Sequence, residues 1–82
     1  MDLYFMGWKP DADVYGEAAG LACDGRVLDL VVTHCGDGSY FWEVIDDDLT
    51  EERIASGTAA SAAEARRTAE TAGRRALIRV AA

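Results

Sequence analysis

The run Arg26-Val27-Leu28-Asp29-Leu30-Val31-Val32-Thr33-His34-Cys35, then Gly36-Asp37-Gly38, then Ser39-Tyr40-Phe41-Trp42-Glu43-Val44-Ile45-Asp46, decides the fold. Its two flanks are rich in β-branched and aromatic residues, which suit a pleated, half-buried surface. The glycines between them accept the positive φ of a tight loop, so the stretch reads as an antiparallel hairpin. Side chains alternate along a strand. Tyr40, Trp42 and Val44 therefore share one face with Leu28, Leu30 and Val32, while Phe41, Glu43 and Ile45 share the other with Val27 and Val31.

Working outward, Arg53 to Ala59 reads as a third strand after the polar turn Asp46 to Glu52, with Gly57 near its end. An earlier, weaker strand fits Val14 to Leu21, closing at the Asp24-Gly25 turn. Ser61-Ala62-Ala63-Glu64 has the spacing of a capping box and opens a helix. At 100° per residue one arc of that helix gathers Ala62, Ala65, Ala69, Ala72, Gly73, Ala76 and Val80, and Arg66, Arg67, Glu70, Arg74 and Arg75 point elsewhere. Arg79 falls back into the arc, so the regular helix is expected to stop near Ala76 or Leu77. The residues beyond read either as a frayed turn or as a short extended tail. The expected fold is α+β, a three- to four-stranded antiparallel meander over about 12 to 60 with one helix over about 61 to 77 packed on one face. Residues 1 to 82 are one domain, without repeat or linker.

Both sheet faces carry bulk, and one small-faced helix covers only one of them. The second face must be shielded by the segment Leu3-Tyr4-Phe5-Met6-Gly7-Trp8, by a second copy, or by another partner. The small size of the core favours the N-terminal segment, folded over as a flap.

Composition narrows the function classes. The 82 residues hold 15 acids against 8 Lys and Arg, a formal charge of −7, and half are hydrophobic. Disorder is disfavoured. No apolar run approaches the roughly 18 residues of a membrane span, and the N-terminus lacks a basic signal region. A cytoplasmic location is expected. Unaided binding to nucleic acid is disfavoured, because that affinity comes from Lys and Arg displacing counterions. The charge is also lopsided: residues 1 to 60 hold three cations against thirteen acids, and residues 61 to 82 hold five arginines against two glutamates.

Constellations with known chemistry are sparse. Cys23, His34 and Cys35 lack the paired spacing of a zinc site, and neighbours 34 and 35 point to opposite faces. A Cys23 to Cys35 disulfide suits neighbouring strands but not a reducing compartment. His34 with Cys35 and Asp37 lacks any further nucleophile signature, so no enzymatic activity and no cofactor or metal is expected. Gly36-Asp37-Gly38 lacks the lysine and helix of a phosphate cradle. Asp46-Asp47-Asp48-Leu49-Thr50-Glu51-Glu52 fails the calcium-loop pattern, with Glu51 at the sixth position and Gly57 at the twelfth. This run, with Glu43 and Asp37, is instead a candidate surface for a partner's Lys/Arg groove.

The stretch Tyr40-Phe41-Trp42-Glu43-Val44, then Gly57, Ser61, Ala65, Arg66 and Ala69, resembles the carboxy-terminal half of a double-stranded-RNA-binding domain. Ala62 and Ala63 stand where that family places phosphate-binding lysines, so the A-form backbone contacts lack donors. In size, charge and strands-then-helix layout the chain also resembles small acidic phage accessory proteins, anti-CRISPR inhibitors among them. That likeness implies a non-enzymatic inhibitor that imitates DNA charge. Asp46, Asp47, Asp48, Glu51, Glu52, Glu43 and Asp37 would then engage the basic groove of a nuclease or CRISPR effector. The alternative is a self-associating module that pairs as a homodimer through Phe41, Ile45, Val27 and Val31.

Overall fold

A computed structural model describes residues 3–46 and 52–81. It contains five strands and one helix: β1 (Leu3–Asp11), a 3-10 turn (Ala12–Val14), β2 (Gly16–Cys23), β3 (Arg26–His34), β4 (Tyr40–Asp46), β5 (Glu52–Ala59) and α1 (Ala62–Ala81). All neighbours are antiparallel and the spatial order follows the chain, β1-β2-β3-β4-β5. The fold class is α+β as the hydrophobic periods indicate, with five strands in place of three to four.

The turns explain the order. Cys23 pairs with Arg26, which leaves Asp24 and Gly25 as a two-residue loop, both at positive φ (51° and 84°). That backbone matches the right-handed twist of the strands it joins. At the β3–β4 end Cys35 N–H donates to Ser39 O (2.9 Å) and Gly38 N–H to Cys35 O (3.2 Å). The observed register pairs Leu30 with Val44 and Val32 with Trp42, so the aliphatic and aromatic residues of the hairpin stand side by side on one face.

That face carries α1. Leu21, Leu28, Leu30, Val32 and Val44 have no solvent exposure and pack with Trp42, Ala59, Ala65, Ala69 and Leu77. The helix contributes Ala65, Ala69 and Gly73 where it lies closest, so the bulk comes from the sheet. A Cβ at Gly73 would stand 2.7 Å from Leu21 Cδ1, which shows how near the helix backbone approaches. Glu64 N–H donates to Ser61 Oγ (3.1 Å), the N-terminal half of the expected cap. The helix continues to Ala81, beyond the expected stop near Ala76 or Leu77, and Leu77 itself is buried.

The N-terminal segment corrects a second expectation. Residues 3 to 8 do not fold over the second face; they hydrogen-bond edge-on to β2, with Leu3 opposite Cys23 and Met6 opposite Gly20. A shift of register between Met6 and Lys9 then turns Trp8 toward the helix side, where its Nε1–H donates to Glu70 Oε2 (2.8 Å). Edge pairing gives the inward-pointing backbone groups of Leu3 to Met6 partners on β2, which a flap lying flat across side chains would not.

Candidate functional site

The hairpin brings the four proposed self-association residues together on the face opposite α1. Opposite-strand partners share a face, so Val27, Val31, Phe41 and Ile45 lie with Ala18, Gly20 and Ala22 of β2 and with Tyr4 and Met6 of β1. Among the described residues no element covers this face. Val31, at its centre, is nonetheless only 6 % exposed, shielded by its strand neighbours. Tyr4 and Met6 are exposed. Sequence reasoning missed them as members of the face because it laid their segment across it. Lys9, Asp29, Glu43 and Arg53 give the surface both signs of charge. Arg53 Nε donates to Glu43 Oε2 (2.9 Å), and its guanidinium carbon lies 5.4 Å from the Phe41 ring centroid.

The acidic candidates are dispersed. Asp46 ends β4 on the helix side, is 1 % exposed, and accepts from Arg26 Nη2 at 2.5 Å. Its carboxylate is turned into the protein. Glu43 stands on the open face, engaged with Arg53. Asp37 lies in the β3–β4 turn, where the Ser39 hydroxyl (2.6 Å) and then the Ser39 amide (3.0 Å) hold its carboxyl below the ordinary value. Six strand steps of about 3.3 Å put Asp37 roughly 20 Å or more from Asp46. Glu52 opens β5, opposite Asp46. Asp47, Asp48 and Glu51 lie outside the described residues.

Cys23 closes β2 at one end of β3, and His34 and Cys35 leave β3 at the other. Nine strand residues, about 25 Å or more, separate the two thiols, so the disulfide between neighbouring strands is excluded. Among the described residues no three His, Cys, Asp or Glu side chains converge to hold a metal ion. His34 meets Tyr40 edge to face, with centroids 4.9 Å apart.

The arginine stripe of α1 divides into two. Arg66 Nη1 reaches Glu17 Oε2 (2.8 Å) on β2, and Arg74 Nη1 lies 3.6 Å from Glu70 Oε1, the same carboxylate that receives Trp8. These charges tie the helix to β1 and β2. Arg67 and Arg75, on the opposite flank, meet no carboxylate among the described residues. Comparison with known protein families, characterised proteins and solved structures returns no match.

Proposed function

We propose that the chain is a non-enzymatic binding module whose working surface is the uncovered sheet face, and that a second copy occupies it. The observation that carries this reading is a five-stranded sheet with α1 on one side and, among the described residues, nothing on the other. Phe41, Ile45, Val27 and Val31 supply its apolar centre. Five strands at about 4.8 Å by seven residues at about 3.3 Å give a face of roughly 500 Å² in projection. Two copies would then bury about 1,000 Å² in all, the size of a weak, transient interface, so dissociation in the micromolar range is expected. Two such faces stack as a sandwich at about 10 Å, and a patch bearing both signs avoids the repulsion that a chain of −7 otherwise meets in pairing with itself.

Sedimentation equilibrium between 1 and 200 µM tests it. A monomer–dimer equilibrium that Ile45→Glu shifts to monomer, with the circular dichroism spectrum unchanged, is the expected result. A strict monomer over that range overturns the reading.

A second reading keeps the acidic run as the working surface of an inhibitor of anti-CRISPR type, aimed at a basic nucleic-acid groove. The register favours it: Asp46 opposes Glu52, which leaves residues 47–51, three of them acidic, to connect two strands. Asp46 leaves the candidate set, since its carboxylate already pairs with Arg26. Capture of a basic nuclease that weakens with salt and is lost when Asp47, Asp48 and Glu51 are reversed to lysine supports this reading. Capture unaffected by the reversal defeats it.

A further inference from the structure

We infer that the outer edge of β5, beneath the Arg67–Arg75 flank of α1, takes an extended acidic peptide segment as a sixth strand. The site lies at the sheet edge on the helix side, away from the open face, and is independent of the pairing proposed above.

The two edges of the sheet are built differently. β1 carries a break in register between Met6 and Lys9, a lysine, and Pro10, all devices that discourage further pairing. β5 is paired on one side only, by β4. Its stretch Ala55-Ser56-Gly57-Thr58-Ala59 has no proline and no charge, and the register irregularity of this pair lies before it, opposite Val44 and Ile45. Among the described residues no further strand pairs with this edge, so alternate residues of the stretch leave outward-pointing backbone N–H and C=O groups open, which is the requirement for strand addition.

Above this edge lies a cleft of about 390 Å³ lined by Trp42, Arg67, Thr68, Thr71, Ala72 and Arg75. Its floor is Trp42, whose cross-strand partner on β5 has no side chain. Gly57 sits opposite Trp42, and a Cβ at Gly57 would stand 3.0 Å from Cε2, Cζ2 and Nε1 of the indole. The missing side chain lets the ring lie across β5 toward the edge. No acceptor for the indole N–H is present among the described residues. The roof carries two guanidiniums eight residues apart, about 12 Å along the helix axis, and Arg66 and Arg74, one position earlier in each case, are already paired.

These dimensions select the ligand. In an extended strand, side chains four residues apart point the same way and lie about 13 Å from one another. A segment lying along β5 thus brings acidic residues at positions i and i+4 under Arg67 and Arg75, with an apolar side chain at i+2 against Trp42. Backbone pairing supplies affinity and the two charge-assisted contacts supply selectivity. Nucleic acid fits less well, because the remaining helix arginines described are spent on Glu17 and Glu70 and the chain as a whole is acidic.

The experiment uses the full chain and a fluorescein-labelled nine-residue peptide with glutamate at its third and seventh positions, leucine at its fifth, and threonine or valine elsewhere. The expected result is saturable binding by anisotropy that moves the backbone amide resonances of residues 55–59 and the Trp42 indole resonance. Arg67→Ala with Arg75→Ala, both exposed positions, should weaken binding by about tenfold or more without changing the melting temperature. Methylating alternate peptide nitrogens should abolish binding in one phase of the alternation and spare it in the other, as strand pairing demands. Absence of binding at millimolar peptide, equal affinity for a glutamine-substituted peptide, resonance shifts confined to the open face, or tighter binding of a single-stranded oligonucleotide at the same residues would each overturn the proposal.

Discussion

The two faces of the sheet are made by the same strands and yet do opposite things. The helix side is dry at its centre: Leu28, Leu30, Val32 and Val44 have no exposure, and even the carboxylate of Asp46 is enclosed, held by the partly exposed Arg26. The open side interleaves Val27, Val31, Phe41 and Ile45 with Asp29, Glu43, Lys9 and Arg53. Because one residue step separates the two sets, a single strand such as Arg26–His34 holds both a core and a surface. The open side is therefore graded: Val31 is nearly enclosed by its strand neighbours, whereas Val27, Phe41 and Ile45 are half-buried. Substitutions can break or sharpen that contrast.

The largest effect is expected on the dry side. Leu30→Ala removes a fully enclosed side chain that packs against β4 and lies under Gly73, and should lower the unfolding free energy by about 3 kcal/mol in urea titration. A loss below about 1 kcal/mol would mean that the small-faced helix closes over the gap.

Next comes the charged pair at the end of the same face. Arg26→Ala takes the guanidinium from an enclosed carboxylate and should cost about 2 kcal/mol. That is less than a fully buried pair, since the Arg26 side chain is 26 % exposed and water screens it. A second change, Asp46→Leu, should recover part of the loss, measured as a double-mutant cycle.

How much of this contrast was legible is clear from particular residues. The alternation of Arg26–Asp46 assigns every hairpin residue to its observed face, and Ser61, Glu64 and the alanine arc place the helix. β1 was hidden because Leu3-Tyr4-Phe5-Met6-Gly7-Trp8 is apolar without alternation, and the register shift before Lys9 breaks the period where it would have shown. β2 was weak because it is rich in glycine and alanine, and at Gly16 there is a packing reason: a Cβ there would overlap the backbone oxygen of Val32. Asp46 was grouped with the acids that follow it, although its parity with Trp42 and Val44 already assigned it to the helix side. Arg74 pairs with Glu70 one helical turn before it, a spacing the sequence displays, but the pairing of Arg66 depends on Glu17 of β2, which no local pattern reveals, and among the described residues Arg67 and Arg75 meet no carboxylate.

A smaller effect distinguishes a face that is bare from one that is shared. Val31→Ala on the open side should cost about 1 kcal/mol in the monomer. If copies pair there, the measured cost should grow as protein concentration rises from 1 to 200 µM, because dimerisation stabilises only the folded form. A cost that is flat over that range argues that the face stays open.

The smallest effect belongs to Asp37, an acid on neither face. Asp37 and Asp46 are the same residue type at opposite ends of β4, one in water and one enclosed. The two Ser39 hydrogen bonds lower the Asp37 pKa in the folded chain relative to its ordinary 3.8. A depressed folded value means that the charged form favours folding: the contribution is fully present above pH 3.8 and is lost as pH falls through the folded value. The urea midpoints of the parent and Asp37→Ala should therefore differ slightly at neutral pH and converge on acidification below that value. Full exposure keeps the difference near the resolution of the measurement, since water screens the charge. A parent less stable than Asp37→Ala at neutral pH, with the gap closing on acidification, would reverse the sign and show that the Asp37 carboxylate is repelled in the folded chain.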